Sequence, residues 1–298
     1  NKNFYTIGGL GIFATWLFFG RKMRGLLFPE DDHGDERWSH YKSMKFYAAI
    51  FLPIAGFSSA AVIWLWVMSV DPHWYSTMFA WYTGASCFVS MIALTILLLI
   101  YLKSKGYYKN VTDEHFHDLG KFLFAFSVFW TYLWFSQYML IWYGNIGEET
   151  VYFKTRVNEY PVLFYGNLVM NFVLPFLILI RNDTKRKYGT LIIVALIVFF
   201  GHWIDLFQMI IPGVHHTAHE LASHVPDAVT HAADAHAAGH DTHGGGIKMG
   251  VNLPGLPEIG LMIGFVALFF ATTLHFLSKG ALTPKRDPFL QESLHHHV

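Results

Sequence analysis

A helix needs about twenty apolar residues to cross roughly 30 Å of hydrocarbon. Stretches of this kind recur at 4–20, 46–70, 76–102, 119–144, 161–181, 189–212 and 257–278, and the first is the shortest. Lipid offers no hydrogen-bond partner to a backbone N–H or C=O, so only helices or closed barrels span it, and runs this long select helices. The expected fold is all-α, a polytopic transmembrane helix bundle with seven spans. The chain then divides into spans one to six with short loops (1–212), a His-rich loop (213–256), the last span (257–278) and a tail (279–298).

Composition agrees with this reading and removes several function classes. The chain is 53% hydrophobic and 14% charged, which fits an integral membrane protein better than a soluble domain. Net charge is zero, so nothing points to a nucleic-acid partner. One cysteine, Cys87, cannot by itself hold an iron–sulfur cluster, a CxxCH haem or an internal disulfide. Any metal centres of a redox reaction are therefore expected on other chains. The chain starts Asn1-Lys2-Asn3 and turns apolar by Phe4, from which a preceding N-terminal part is expected.

Charge asymmetry orients the spans. Segments 21–45, 103–121, 181–188 and 279–298 hold 6, 4, 4 and 3 Lys+Arg, against 4 on the opposite side (Lys2, Lys154, Arg156, Lys248). The rich side is expected to be cytoplasmic, which puts the C-terminus inside and loop 213–256 outside. Trp74, Trp81, Trp142 and Tyr143 fall near the outer boundaries, as an aromatic belt does.

Polar residues inside the spans are the functional signal. Span six carries His202, Asp205 and Gln208. Steps of three keep them within about 120° on one helix face, with Gly201 in the same sector. An aspartate at that depth costs about 2.5–3.5 kcal/mol on insertion scales unless paired or hydrated. A His–Asp pair can exchange protons near neutral pH, so this cluster reads as a protonatable relay or a polar cavity wall. The competing reading is a structural polar cluster between helices.

Span four opens with His117, Asp118 and Lys121 and holds Ser127, Thr131, Ser136 and Gln137. The first three can form a proton entrance. Equally, a helix N-terminus attracts aspartate, and lysine snorkels to water. Ser127, Thr131 and Tyr138 share a face with Trp134; hydroxyls so spaced can carry a water wire or simply join helices. In span five Asn167 and Asn171 stand one turn apart, and Pro175 cannot donate to the carbonyl of Asn171. A hydrated pocket and a packed kink are both open there, and Pro53 of span two makes a similar kink.

Eight histidines (215, 216, 219, 224, 231, 236, 240 and 243) lie in loop 213–256. His215 and His219 have a spacing that can bind metal on a helix, but the loop reads first as low-complexity and only partly ordered, and no metal site is assigned. His275 lies about 5 Å from the inner end of its span and His202 about 20 Å from the inner start of its own, which argues against a haem shared by the two. Span seven has no internal lysine, which excludes a retinal Schiff base.

The run from His117 to Phe126, then Phe129-Trp130-Thr131-Tyr132, Trp134 to Tyr143 and Asn145 to Glu149 resembles one subunit family. It is similar to the F-type subunit, the second of the two large NrfD/PsrC-like membrane subunits of bacterial alternative complex III, a quinol:cytochrome c or quinol:oxidase oxidoreductase. Trp203-Asp205 and Glu159-Tyr160-Pro161 fit the same pattern. The resemblance implies a fold of about ten transmembrane helices in the bacterial cytoplasmic membrane. It implies as partners the paralogous C-type membrane subunit, an iron–sulfur subunit, c-type cytochrome subunits and a terminal cytochrome oxidase. Haem c and iron–sulfur clusters then belong to those partners, and menaquinone or lipid is the only cofactor implied near this chain, with no residue assigned to it. Within that picture the C-type subunit is the better place for quinol oxidation. This chain is expected to supply scaffold and a proton path, with His202, Asp205 and Gln208 in the outer half, His117, Asp118 and Lys121 in the inner half, and Asn171, Ser127 and Thr131 as bridges. An independent proton-coupled transporter and a purely structural anchor are the competing classes. The transporter predicts broken-helix repeats, and no internal repeat is visible.

Overall fold

The structure is a computed structural model that describes residues 2–33, 38–72, 74–224, 254–283 and 287–295. Among the described residues all regular structure is helical. Six helices are long and apolar enough to cross a membrane: Ser39–Val70, Thr77–Ser104, Asp113–Gly144, Pro161–Leu179, Tyr188–Ala218 and Leu256–Leu277.

The expected first span lies within helix α1 (Lys2–His33), which is long enough but less apolar than the other six. Within 4–21, four glycines, two threonines and Arg21 lower the apolarity. The glycines serve contact instead: at Gly9 the Trp66 indole comes within 3.2 Å of where a Cβ would stand. Trp66 closes helix α2 (Ser39–Trp66), which runs antiparallel to α1. The turn between them is tied by the buried Glu30, whose Oε2 accepts the Tyr41 amide at 3.1 Å. A carboxylate there meets unpaired N–H groups at the positive end of the α2 dipole.

Helices α3 (Thr77–Ser104), α4 (Asp113–Gly144) and the long helix α9 (Tyr188–His224) form the centre of the bundle. Helix α4 begins at Asp113, six residues ahead of the expected span, because Thr112 caps it and makes a reciprocal capping box with His115. It ends at Asn145 in a left-handed conformation, which asparagine tolerates.

A short amphipathic helix, α5 (Gly147–Glu159), then lies across one end of the bundle. It turns Tyr152, Phe153 and Arg156 inward and leaves Glu148 and Lys154 exposed. The fourth apolar span is α6 (Pro161–Leu168), a π-helical turn (Val169–Val173) and α7 (Leu174–Leu179). The π turn sits directly ahead of Pro175, where the missing N–H upsets the regular ladder. At the other end lie α8 (Asn182–Arg186) and the charged starts of α4 and α9. These two ends are called the α5 face and the α8 face below.

Helix α9 continues twelve residues past the expected end of its span. Residues 213–224 are helical, so His215, His216 and His219 lie on a helix and not in an irregular loop. Pro212 does not end it, and Thr217 Oγ1 donates to the Val70 carbonyl at 3.1 Å. His231, His236, His240 and His243 lie outside the described residues. Helix α10 (Leu256–Leu277) touches the rest through its C-terminal end, where Arg24 donates to the Phe276 carbonyl at 2.7 Å. None of its residues is buried. A last turn, α11, covers Leu290–Leu294.

One glycine decides how closely α9 meets the π turn. A Cβ added at Gly201 would overlap Asn171 Oδ1 and stand 3.0 Å from Met170 Cβ. Gly201→Ala should therefore cost about 1–3 kcal/mol through overpacking. The detergent-solubilised protein should melt at a lower temperature, and adding Asn171→Ser should recover part of the loss. A Gly201→Ala protein as stable as the parent would show that this approach is not tight.

Candidate functional site

Asp205 sits at the centre of the α3–α4–α6–α9 interface with no solvent exposure. Burying an ionised carboxylate demands donors in compensation, and three neighbouring helices supply four. Tyr82 Oη and Asn167 Nδ2 donate to Oδ1, the latter at 2.7 Å. Ser86 Oγ at 2.9 Å and Trp130 Nε1 at 3.1 Å donate to Oδ2. Helical register explains the set. Tyr82 and Ser86 stand one turn apart on α3, while Trp130 from α4 and Asn167 from α6 close the remaining sides.

His202 lies one turn along α9, also fully buried. Its Nδ1 is 3.9 Å from Asp205 Oδ2, beyond hydrogen-bond reach. Ser86 bridges them, its Oγ 2.9 Å from His202 Nδ1 and 2.9 Å from the carboxylate. A hydroxyl has one proton, so when Ser86 donates to Asp205 it must accept from Nδ1–H. That tautomer turns the lone pair of Nε2 into the bundle, where it has no protein partner. The Trp130 ring packs edge-on against the imidazole, centroids 5.2 Å apart.

The asparagines extend the network. Asn171 Nδ2 donates to Asn167 Oδ1 at 2.5 Å, and both are fully buried. The segment ahead of Pro175 is the π-helical turn, in which Asn171 packs closely against Gly201. Asn171 Oδ1 and the buried Ser127 hydroxyl have no protein partner. Thr131 is not in the cluster, because its hydroxyl is used by the Ser127 carbonyl at 2.8 Å on its own helix.

On the α5 face, a cavity of about 10 Å³ adjoins Asp205. Tyr82, Gln137, Tyr152, Arg156 and Gln208 supply its polar wall. Such a space holds about one water and lies far below the roughly 300–1,000 Å³ of ligand pockets. A menaquinone ring has no room there. Arg156 is buried and donates to the carbonyls of Tyr152 at 2.9 Å and Met209 at 3.0 Å. Its guanidinium lies 3.3 Å from the centre of the Tyr152 ring, which stacks in turn on Trp74 at 3.9 Å. Burial pushes the Tyr152 phenol up to about 12, against the pull of Arg156, so it stays neutral. Burial lowers the Arg156 guanidinium from its ordinary value, and the tyrosines around it and Asp71 raise it again.

The α8 face carries the other expected group. Asp118 and Lys121 form a 2.9 Å pair on the half-exposed rim, where such pairs contribute about 0–1 kcal/mol. His117 differs from them. It is 3% exposed, neither ring nitrogen has a hydrogen-bond partner, and its nearest acid is Glu114, 3.9 Å away. Glu114 also pairs with Arg186 at 2.9 Å. Nearby Lys185 is held below its ordinary range, first by burial and then by the charge of Lys121.

Of the residues singled out in the sequence, the structure brings His202, Asp205, Gln208 and Asn171 together, with Ser127 close by on α4. His117, Asp118 and Lys121 are grouped separately at the other face. Sequence reasoning missed Tyr82, Ser86, Glu114, Tyr152 and Arg156 as site members. Hydroxyls one turn apart within an apolar run, and an arginine in an aromatic stretch on the charge-poor side, were the available signals. His275 is exposed on α10, away from buried His202. Among the described residues no group of three or more His, Cys, Asp or Glu side chains is placed to hold a metal.

No protein-family model matches the chain, and no curated protein is significantly similar to it.

A hydrogen bond to a charged group contributes about 1.5–3 kcal/mol. Trp130→Phe should therefore destabilise the protein by about that much in detergent unfolding. The same change in an Asp205→Asn background should cost less, because the acceptor is then neutral. Equal costs in both backgrounds would show that the indole does not support the carboxylate.

Proposed function

We propose that this chain is a proton-handling integral membrane subunit of a menaquinol-oxidising respiratory complex of the alternative complex III kind. One observation carries the proton reading: Asp205 and His202 are fully buried and bridged by a single hydroxyl, Ser86. A serine between an acid and a base can reverse its hydrogen bonds and so pass a proton without a heavy atom moving. Two groups that can each take a proton, held out of water, have a cost that a scaffold alone does not require.

The complex assignment rests on the resemblance of 117–149 to the F-type, NrfD-like subunits. The resemblance points to the bacterial cytoplasmic membrane, and the excess of Lys and Arg on one side puts the α5 face outside and the α8 face and the C-terminus in the cytoplasm. Quinol oxidation and the haem and iron–sulfur centres belong to partner subunits, and this chain's residues hold and move protons.

Gentle detergent purification from native membranes through this chain should bring down c-type haem, visible in a difference spectrum, together with menaquinol oxidation. A colourless lone polypeptide across several mild detergents would instead favour the independent transporter. In liposomes, Asp205→Asn should lower the number of protons moved per electron while electron transfer continues. An unchanged ratio would remove Asp205 from any proton path.

A further inference from the structure

The two sides of Asp205 are built differently. Toward the α5 face lies the 10 Å³ cavity, and two buried donors on its wall, Gln137 Nε2 and Arg156 Nε, have no protein partner. A buried water makes about 2–4 hydrogen bonds, so a cavity of one-water size with two such donors and Asp205 on its wall is suited to hold one. Arg156 is fixed through its two terminal nitrogens by two carbonyls, which leaves Nε without a protein partner.

Toward the α8 face, His202 Nε2, Asn171 Oδ1 and the Ser127 hydroxyl also have no protein partner, but beyond them the packing is apolar. Below Ser86 on α3 come Val89, Ala93 and Ile96, below Ser127 on α4 comes Leu123, and below His202 on α9 come Val198, Val194 and Leu191. All seven have no solvent exposure. The next buried polar side chain on α4 is His117, about 15 Å along the helix from Ser127 at 1.5 Å per residue. No buried side chain with a polar atom links the two levels on these three faces.

We propose that Asp205 exchanges protons with the α5 face alone, through one water that Arg156 and Gln137 position. This rests on the proton-handling reading and replaces a through-path by a one-sided proton well. In the step, the cavity water gives a proton to the Asp205 carboxylate and takes one from a hydronium ion at the α5 face, which becomes water. Two O–H bonds break and two form, and the carboxylate and hydronium charges cancel. Arg156 acts as a positioning residue. The titratable groups that face Asp205 are His202 on its own helix, Tyr82 on α3, and Tyr152 and Arg156 on α5, while Cys87 on α3 is exposed and feels only the Asp205 charge. From α4 and α6 the side chains around it and its cavity are Trp130, Trp134, Gln137, Phe164 and Asn167, which do not titrate.

The test uses the full chain with whatever subunits accompany it, reconstituted in liposomes and sorted by orientation. Isotope-labelled aspartate and Asp205→Asn identify the Asp205 carboxyl band in difference infrared spectra. The pH is stepped on one side at a time. The band should follow steps at the α5 face and ignore steps at the α8 face. Arg156→Met should slow the response by about 100-fold, the cost of misplacing a reacting group by about 1 Å, and Arg156→Lys should restore part of it. A band that follows both faces equally overturns one-sided access and leaves the proton reading standing. A band that follows neither overturns the proton reading, and this inference falls with it. If Arg156→Met fails to fold, the side-selective response of the parent protein still decides.

Discussion

A carboxylate buried in a membrane bundle must be surrounded by donors, and the rest of this structure is arranged around meeting that demand for Asp205. Its four donors come from α3, α4 and α6, and each is a side chain with few useful rotamers. To deliver them together, the three helices must take one rotation and one depth relative to α9. In lipid, where apolar surface does not drive helices together, such polar contacts and close packing set the arrangement. The glycine at 201 follows from the same geometry, since only a residue without a side chain lets α9 approach the asparagine pair.

The two ends of the bundle then take different characters. At the α5 face an amphipathic helix closes the bundle with Trp74, Tyr152 and Arg156, and the arginine is held by carbonyls and a ring face. At the α8 face the charges stay near water, in pairs such as Lys121–Asp118 and Arg186–Glu114. The apolar layer between them is fully packed. A protein with this section has its polar chemistry displaced toward one surface, which gives one-sided proton access a structural basis.

Much of the fold was legible in the sequence because hydrophobic length is a one-dimensional signal. Six of the seven expected spans correspond to membrane-length apolar helices. The first was harder to judge, because glycine and threonine lower apolarity while improving contact with α2. The end of α9 was misjudged for a related reason: Pro212 and a histidine-rich composition signal a stop, but Thr217 and Gly213 pack against the end of α2 and the following turn and carry the helix on. In the site, Asp205 and His202 were visible as ionisable residues in an apolar run.

The sequence by itself determined that the chain is helical and membrane-spanning, which way its charges divide, and which buried carboxylate needs partners. Those properties follow from composition and spacing along one helix. Only the tertiary structure decided which residues answer that carboxylate. Tyr82, Ser86, Trp130 and Asn167 lie up to 123 residues away in the chain, and nothing in local spacing couples them to it. It also decided that Ser86 and not direct contact joins His202 to Asp205, and that buried apolar side chains lie between the Asp205 cluster and His117. Both are matters of how side chains from different helices interlock, a distance that no single helix records.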